Sequence, residues 1–165
     1  MKRGINMIGF YAGSFDPFTN GHLAIVEKAT KCFSKVIVGI GVNTEKTRRI
    51  DALEMKQAIE KSLEEANIQN VEVVVYHGLT TEEAQKYQCA YLIRGLRNGT
   101  DYQYEETIAT INEEHSSLDT CYFRAGKLGY LSSSMVMELY TYGKSVQKYV
   151  PKPVLEVLKK KKERR

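Results

Sequence analysis

Three short polar segments of this chain carry residues suited to handling phosphate. The first is Ala12-Gly13-Ser14-Phe15-Asp16-Pro17-Phe18-Thr19-Asn20-Gly21-His22. Gly13 and Gly21 let backbone approach a ligand closely. Gly21-His22 opens a helix, whose free N–H groups and positive dipole end favour an anion, so the His22 imidazole stands where a phosphate would dock. A Gly-His pair on its own is also what an ordinary capped turn looks like. The second segment, Ile93-Arg94-Gly95-Leu96-Arg97, sets two guanidinium groups around a glycine after an apolar stretch. Arginine suits multidentate phosphate recognition, although surface arginine pairs are common. The third, Leu131-Ser132-Ser133-Ser134, opens a helix with three successive hydroxyls, where a single serine would mean only capping. The first segment lacks both GxxxxGKS/T and GxGxxG, which disfavours P-loop hydrolysis and ordinary dinucleotide binding.

These segments need a frame that brings them to one edge, and the hydrophobic pattern supplies it. Residues 7–11 form a short apolar run that leads into the first polar segment. Leu23, Ile25, Val26, Ala29 and Phe33 then recur at helical spacing. Residues 35–42 are β-branched and nearly all apolar, which predicts a parallel strand covered on both faces. Asp51 is placed to cap a helix carrying Leu53, Met55, Ala58, Ile59, Leu63 and Ala66, with Glu54 three residues on. Residues 71–76 predict a third strand, and Thr80 or Thr81 caps a helix to about Gln88. A fourth strand over 90–93, a helix over 101–115, a fifth strand over 119–123 and a helix over 132–142 follow. Pro151 and Pro153 start a last helix that runs to Lys162. Strands alternating with helices at this spacing predict an α/β fold: a single-domain, Rossmann-like, doubly wound parallel sheet of five strands with C-terminal helices. In such sheets ligands bind beyond the carboxyl ends of the strands, near the topological switch point, and all three polar segments follow strands.

Taken together, the spacing of Gly13-x-Phe15-Asp16-Pro17-x-Thr19-Asn20-Gly21-His22, of Ile93-Arg94-Gly95-Leu96-Arg97 and of Ser132-Ser133-Ser134 resembles the HxGH-type nucleotidylyltransferases, with Thr19 at the first position of the His motif. Within them the chain is most similar to the phosphopantetheine adenylyltransferases. Ile93–Arg97 followed by Asp101-Tyr102-x-Tyr104-Glu105, the chain length and Lys46 after the second strand carry that finer likeness. It spans about Ile8 to Pro151. The resemblance implies transfer of the adenylyl group of ATP to 4′-phosphopantetheine, giving dephospho-coenzyme A and pyrophosphate. It implies that Ser14, Phe15 and His22 meet ATP, with His22 stabilising the transition state. Lys46, Thr80 and Arg94, with Ser14, would hold phosphopantetheine. Gly95, Leu96, Arg97 and Glu105 would line the adenine and ribose side. Leu128, Gly129, Tyr130, Leu131, Ser132, Ser133 and Ser134 would close over the nucleotide. Mg2+ would arrive with ATP, and a cytoplasmic homohexamer is implied. The chain departs from the family pattern at Ser14, where Thr is usual, at Thr80, where bulkier residues are frequent, and before the serine run, where an aromatic such as Trp is frequent and Gly126-Lys127-Leu128-Gly129-Tyr130 stands instead.

Composition bounds the alternatives. At 165 residues and 42% hydrophobic, the chain fits one domain with a sizeable core. No apolar stretch reaches the roughly 18 residues of a membrane span, and the N-terminus lacks a signal-peptide pattern. Cys32, Cys89 and Cys121 are far apart and odd in number, so each reads as a small core residue in a reducing compartment. The net charge is +4, but the last seven residues hold six basic side chains and one acidic, which leaves −1 for the rest. We therefore divide the chain into a domain over 1–158 and a basic tail over 159–165, read as a solvated helix end rather than a nucleic-acid surface. His77 and His115 stand alone without metal spacing. Two rivals remain: transfer of a cytidylyl group to a polyol phosphate or an adenylyl group to nicotinamide mononucleotide, and a non-catalytic nucleotide- or RNA-binding role.

Overall fold

The computed structural model describes residues 6–163; the extreme N-terminus and the tail residues Arg164 and Arg165 lie outside the described residues. Five strands, β1 (Ile8–Gly13), β2 (Lys35–Gly41), β3 (Val71–Tyr76), β4 (Tyr91–Leu96) and β5 (Asp119–Arg124), form one parallel sheet in the order β3-β2-β1-β4-β5. The helices are α1 (Asn20–Ala29), α2 (Ala52–Glu65), α3 (Thr80–Lys86), α4 (Gly99–Ser116), α5 (Ser133–Thr141) and α6 (Lys152–Glu163). A 3-10 turn over Gly126–Leu128 precedes α5.

Period-two alternation sends neighbouring side chains to opposite faces of the sheet. Tyr11, Val36, Val38, Ile40, Val73 and Ile93 pack with α1, α2 and α6 into the larger core. Phe10, Ala12, Ile37, Val74, Tyr76 and Leu92 form a smaller one with Ala84 of α3. Both faces being covered is why β2 reads as a continuous apolar run. Asp51 caps α2 as its position predicts, its carboxylate accepting the Leu53 and Glu54 N–H groups at 2.9 and 3.0 Å. Cys89 is buried as expected, but Cys32 is exposed, so the core reading fails for it.

Two local predictions need correction. Thr80 and Thr81 do not cap α3: Leu79 occupies the N-cap with no side-chain bond, and the Thr80 hydroxyl lies 2.7 Å from that of Tyr76 instead. And β4 is longer than its apolar run. Arg94, Gly95 and Leu96 are in the strand, paired with Tyr122, Phe123 and Arg124 of β5. Pairing with β1 covers only Tyr91–Ile93. Beyond Ile93, then, β4 keeps its outer neighbour and parts from β1. The chain builds β1-β2-β3 on one side and β4-β5 on the other, so this parting is the switch-point crevice where open α/β sheets bind ligands.

Candidate active site

The crevice divides into two cavities that share a wall. One, of about 270 Å³, lies between the first polar segment, the end of β4 and the start of α5; His22, Gly95, Arg97, Glu105, Leu128 and Ser133 are among its lining. The other, of about 500 Å³, lies toward β2 and β3, against Asn43, Thr44, His77, Gly78 and Thr80. Ala12, Gly13, Ser14 and Arg94 line both.

His22 is positioned by its own helix start. Thr19 is the N-cap of α1, and its hydroxyl accepts the His22 backbone N–H at 3.3 Å. In return the His22 ring takes the role that Glu or Gln plays in a capping box: its Nδ1 accepts the Thr19 backbone N–H at 3.0 Å. An Nδ1 that accepts leaves the proton of a neutral imidazole on Nε2, as a donor. The ring is boxed by Phe15 and Phe18, at centroid distances of 5.1 and 5.5 Å. Burial first, then the Arg97 and Arg94 charges, push the pKa down to about 4. His22 is therefore a neutral donor at neutral pH, not an imidazolium. Gly21 fits closely beside it: a Cβ there would stand 3.2 Å from the Leu128 carbonyl oxygen, a contact tight enough to displace that backbone slightly.

The loop that carries Ser14 is clamped from outside. The Asp16 carboxylate accepts the Arg49 and Ile50 backbone N–H groups at 2.7 and 2.9 Å. The Arg48 Nη1 donates to the Ser14 carbonyl at 2.8 Å. Phe15 sits in the left-handed region at φ 44°, a conformation that costs a non-glycine residue of order 1 kcal/mol and so needs such a clamp.

The arginines are not bare cations. Arg94 meets Glu105 in a fork, Nε and Nη2 each 2.6 Å from a carboxylate oxygen, and its Nη1 donates to the Ala12 carbonyl at 2.9 Å. Arg97 pairs with Asp101 one helical turn before Glu105, Nη2 to Oδ1 at 3.0 Å. Hydrogen bonds from Arg97 outweigh burial and hold the Asp101 carboxyl below its ordinary range. The start of α4 thus supplies a carboxylate to each guanidinium.

Two hydroxyls of the serine run are committed. The Ser132 side chain accepts the Met135 N–H at 3.1 Å as the α5 N-cap, and Ser133 donates to the Pro17 carbonyl at 2.8 Å. What this helix start offers the cavity is chiefly backbone N–H groups. Ser134 lines a different groove. Tyr130 is 62% exposed, its ring 6.5 Å from that of Tyr149, and neither it nor Gly129 lines the cavity. Lys46 is exposed on the loop whose residues Asn43, Thr44 and Glu45 border the second cavity, but it does not line that cavity itself. Ser14, Phe15, His22, Gly95, Leu96, Arg97, Glu105, Leu128, Leu131, Ser132 and Ser133 are brought together around the first cavity, and Ser14, Thr80 and Arg94 around the second.

Comparison with known proteins gives this geometry a family. A cytidylyltransferase-like family model matches residues 10–139. A phosphopantetheine adenylyltransferase of Streptococcus pneumoniae is 40% identical over 158 residues, covering 94% of this chain and 96% of its own. That of Leuconostoc mesenteroides is 40% identical over 156 residues, with 93% and 95% covered. That of Lachnoclostridium phytofermentans is 38% identical over 153 residues, with 92% and 93% covered. The chain belongs to the phosphopantetheine adenylyltransferase family. Solved structures agree on the fold: a putative nicotinate-nucleotide adenylyltransferase from Vibrio parahaemolyticus superposes with a TM-score of 0.67 at 13% identity, over 94% of this chain and 93% of that one.

Sequence reading of this phosphopantetheine adenylyltransferase family member passed over several residues of the site. Tyr11 lines the first cavity from the middle of an apolar strand, and burial raises its phenol pKa, keeping it protonated. It pairs with Ile93, the last residue of β4 that β1 holds. Asp101 was legible as part of a motif, but its pairing with Arg97 was not. Asp16 had no assigned part, and its partners are the backbone of residues far along the chain, which carries no sequence signal.

Proposed function

We propose that this protein transfers the adenylyl group of ATP to 4′-phosphopantetheine, forming dephospho-coenzyme A and pyrophosphate. The observation that carries the reading is the pair of cavities meeting at Ser14 and Arg94 beside His22. A donor nucleotide in the smaller cavity and a phosphorylated acceptor in the larger would approach from opposite sides of one point, as in-line displacement needs. The name of the relatives, phosphopantetheine adenylyltransferase, supports this acceptor and an adenylyl donor.

The acceptor is already a phosphate anion and needs no general base. Its oxygen forms a bond to the α-phosphorus while the α–β bridging bond breaks, and the bond electrons leave with pyrophosphate. The barrier is alignment and charge accumulation, which fixed donors lower. The His22 Nε2–H is such a donor, and being neutral it keeps its proton through the step. Arg94, the Gly21 amide of α1 and the first amides of α5 orient the phosphates from the shared wall and the nucleotide side. Lys46 would reach the acceptor from the loop after β2, and Thr80 would contact the pantetheine arm.

Mg2+ bound to the triphosphate would neutralise charge on the departing pyrophosphate. The two acidic residues of the nucleotide cavity, Asp101 and Glu105, are engaged by arginines, which fits an ion held by phosphate oxygens and water. We place the reaction in the cytoplasm; among the described residues no helix is long and apolar enough to cross a membrane. A homo-oligomer, six-fold by family likeness, is in keeping with the exposed Tyr104 and Ile111 of α4.

The test is pyrophosphate release from ATP with 4′-phosphopantetheine, nicotinamide mononucleotide or glycerol phosphate as acceptor. The proposal expects release with phosphopantetheine alone, and dephospho-coenzyme A by mass spectrometry. Faster release with either other acceptor would reassign the substrate. Tight RNA binding without release would favour the non-catalytic alternative.

A further inference from the structure

A third hollow lies outside both cavities of the crevice, on the far side of the Ser14–Pro17 loop. It is larger than either, about 810 Å³, within the range of small-ligand pockets. Its walls come from three distant stretches: the loop over 47–49, one side of α5 from Ser134 to Tyr142, and the last turn of α6. Arg48 and Arg49 stand on one side and Lys161 and Lys162 on the other, with Glu138 the one acidic residue in the lining.

These four cations stand together without carboxylate partners. No ion pair among the described residues includes any of them, in contrast to the arginines of the crevice. Arg48 spends Nε on the Ile50 carbonyl and Nη1 on the Ser14 carbonyl, while its Nη2 is buried and has no acceptor. A buried donor left unmade costs about 1–3 kcal/mol. Lys162 lies over the Tyr140 ring, 5.9 Å from its centroid, which holds an ammonium at the groove wall without neutralising it. α6 is itself fixed to α5 by the Tyr140 hydroxyl, which donates to the Leu158 carbonyl at 2.9 Å. The lysines are thus carried by an ordered helix that continues past Leu158 to Glu163, and two of the tail charges meet two charges of the body.

Gathering like charges in a concave site opposes folding, and a multivalent anion relieves it. The hydroxyls of Ser134 and Tyr142, the latter residue 77% exposed, add neutral donors to the same walls. The hollow is of small-ligand size and the remainder of the chain is near neutrality, so it suits a compact anion rather than a nucleic-acid strand. We propose that this groove is a second anion site, distinct from the crevice, that takes a polyphosphate: a chain of two or three phosphates, free or as the phosphate end of a nucleotide.

The test is isothermal titration of the full chain with inorganic tripolyphosphate and, separately, with ATP. The wild type is compared with K161Q/K162Q, and with R49Q from the opposite wall. A class of sites weakened at least tenfold in both variants, and weakened by added salt in the wild type, supports the proposal. Filling of that class by tripolyphosphate assigns it to the bare phosphate chain; filling by ATP alone assigns it to a nucleotide. The proposal is overturned if neither probe fills a class that the variants weaken, or if the variants lose crevice and groove binding together. Turnover of K161Q/K162Q without added probe should stay within about twofold of wild type, so failure here leaves the proposed reaction untouched.

Discussion

Arg94 and Arg97 face the crevice with a carboxylate of α4 each, whereas Arg48, Arg49, Lys161 and Lys162 converge on the neighbouring groove beside Glu138 but in no ion pair among the described residues. The difference is one of geometry as much as charge. A forked guanidinium–carboxylate pair fixes the plane and height of the arginine, so its remaining N–H groups point in a set direction. The pairing takes away net attraction and returns orientation, which is what an in-line reaction needs. The groove does the reverse: it keeps attraction and leaves orientation loose. A site for chemistry and a site for simple anion capture would differ in this way.

Several substitutions probe that contrast. His22→Ala removes the neutral donor beside the arginine pairs; we expect kcat to fall about 10²–10³-fold with the fold intact, read by steady-state kinetics and circular dichroism. Unchanged turnover would remove His22 from the mechanism. Glu105→Gln keeps the shape but takes away the carboxylate that orients Arg94. With the arginine side chain 33% exposed, the low end of charge-pair losses applies, about 2 kcal/mol or roughly thirtyfold in kcat/KM. Because Arg94 lines both cavities, the loss should appear for both substrates; a loss for ATP alone would break the shared-wall reading. Asp16→Ala frees the Ser14 loop from residues 49 and 50 and should lower unfolding stability by about 1–2 kcal/mol in denaturant titration. Ser132→Ala, which removes the α5 cap, should cost about 1 kcal/mol or less by the same measurement.

The contrast between the two clusters also marks what could be read from the amino-acid order. β3 matches its expected span residue for residue, and Asp51 caps α2 as expected, because periodicity and capping are local. Arg94 breaks the apolar run of β4, so the strand looked finished at Ile93, although a strand end that borders a crevice has no need to be apolar. The three serines looked like equivalent hydroxyls; which one caps, which ties Pro17 and which turns away depends on the pitch of α5. The tail was separable by charge arithmetic, but its meeting with Arg48 and Arg49 joins residues more than a hundred positions apart, which no local pattern records. Substrate identity came from motif resemblance and from relatives, not from periodicity.

A neutral imidazole stands at the centre of the crevice. With its pKa lowered by burial and by two guanidinium charges, His22 refuses in the native state a proton that the unfolded chain accepts below its ordinary value of 6.5. Its contribution to stability is therefore complete above about pH 6.5 and lost as the pH falls toward 4. The most direct test is an NMR titration of the His22 ring nitrogens in the full chain. We predict a midpoint near 4 and, at pH 7, a proton on Nε2 with Nδ1 accepting from Thr19. A midpoint near 6.5, or a proton on Nδ1, would contradict the account.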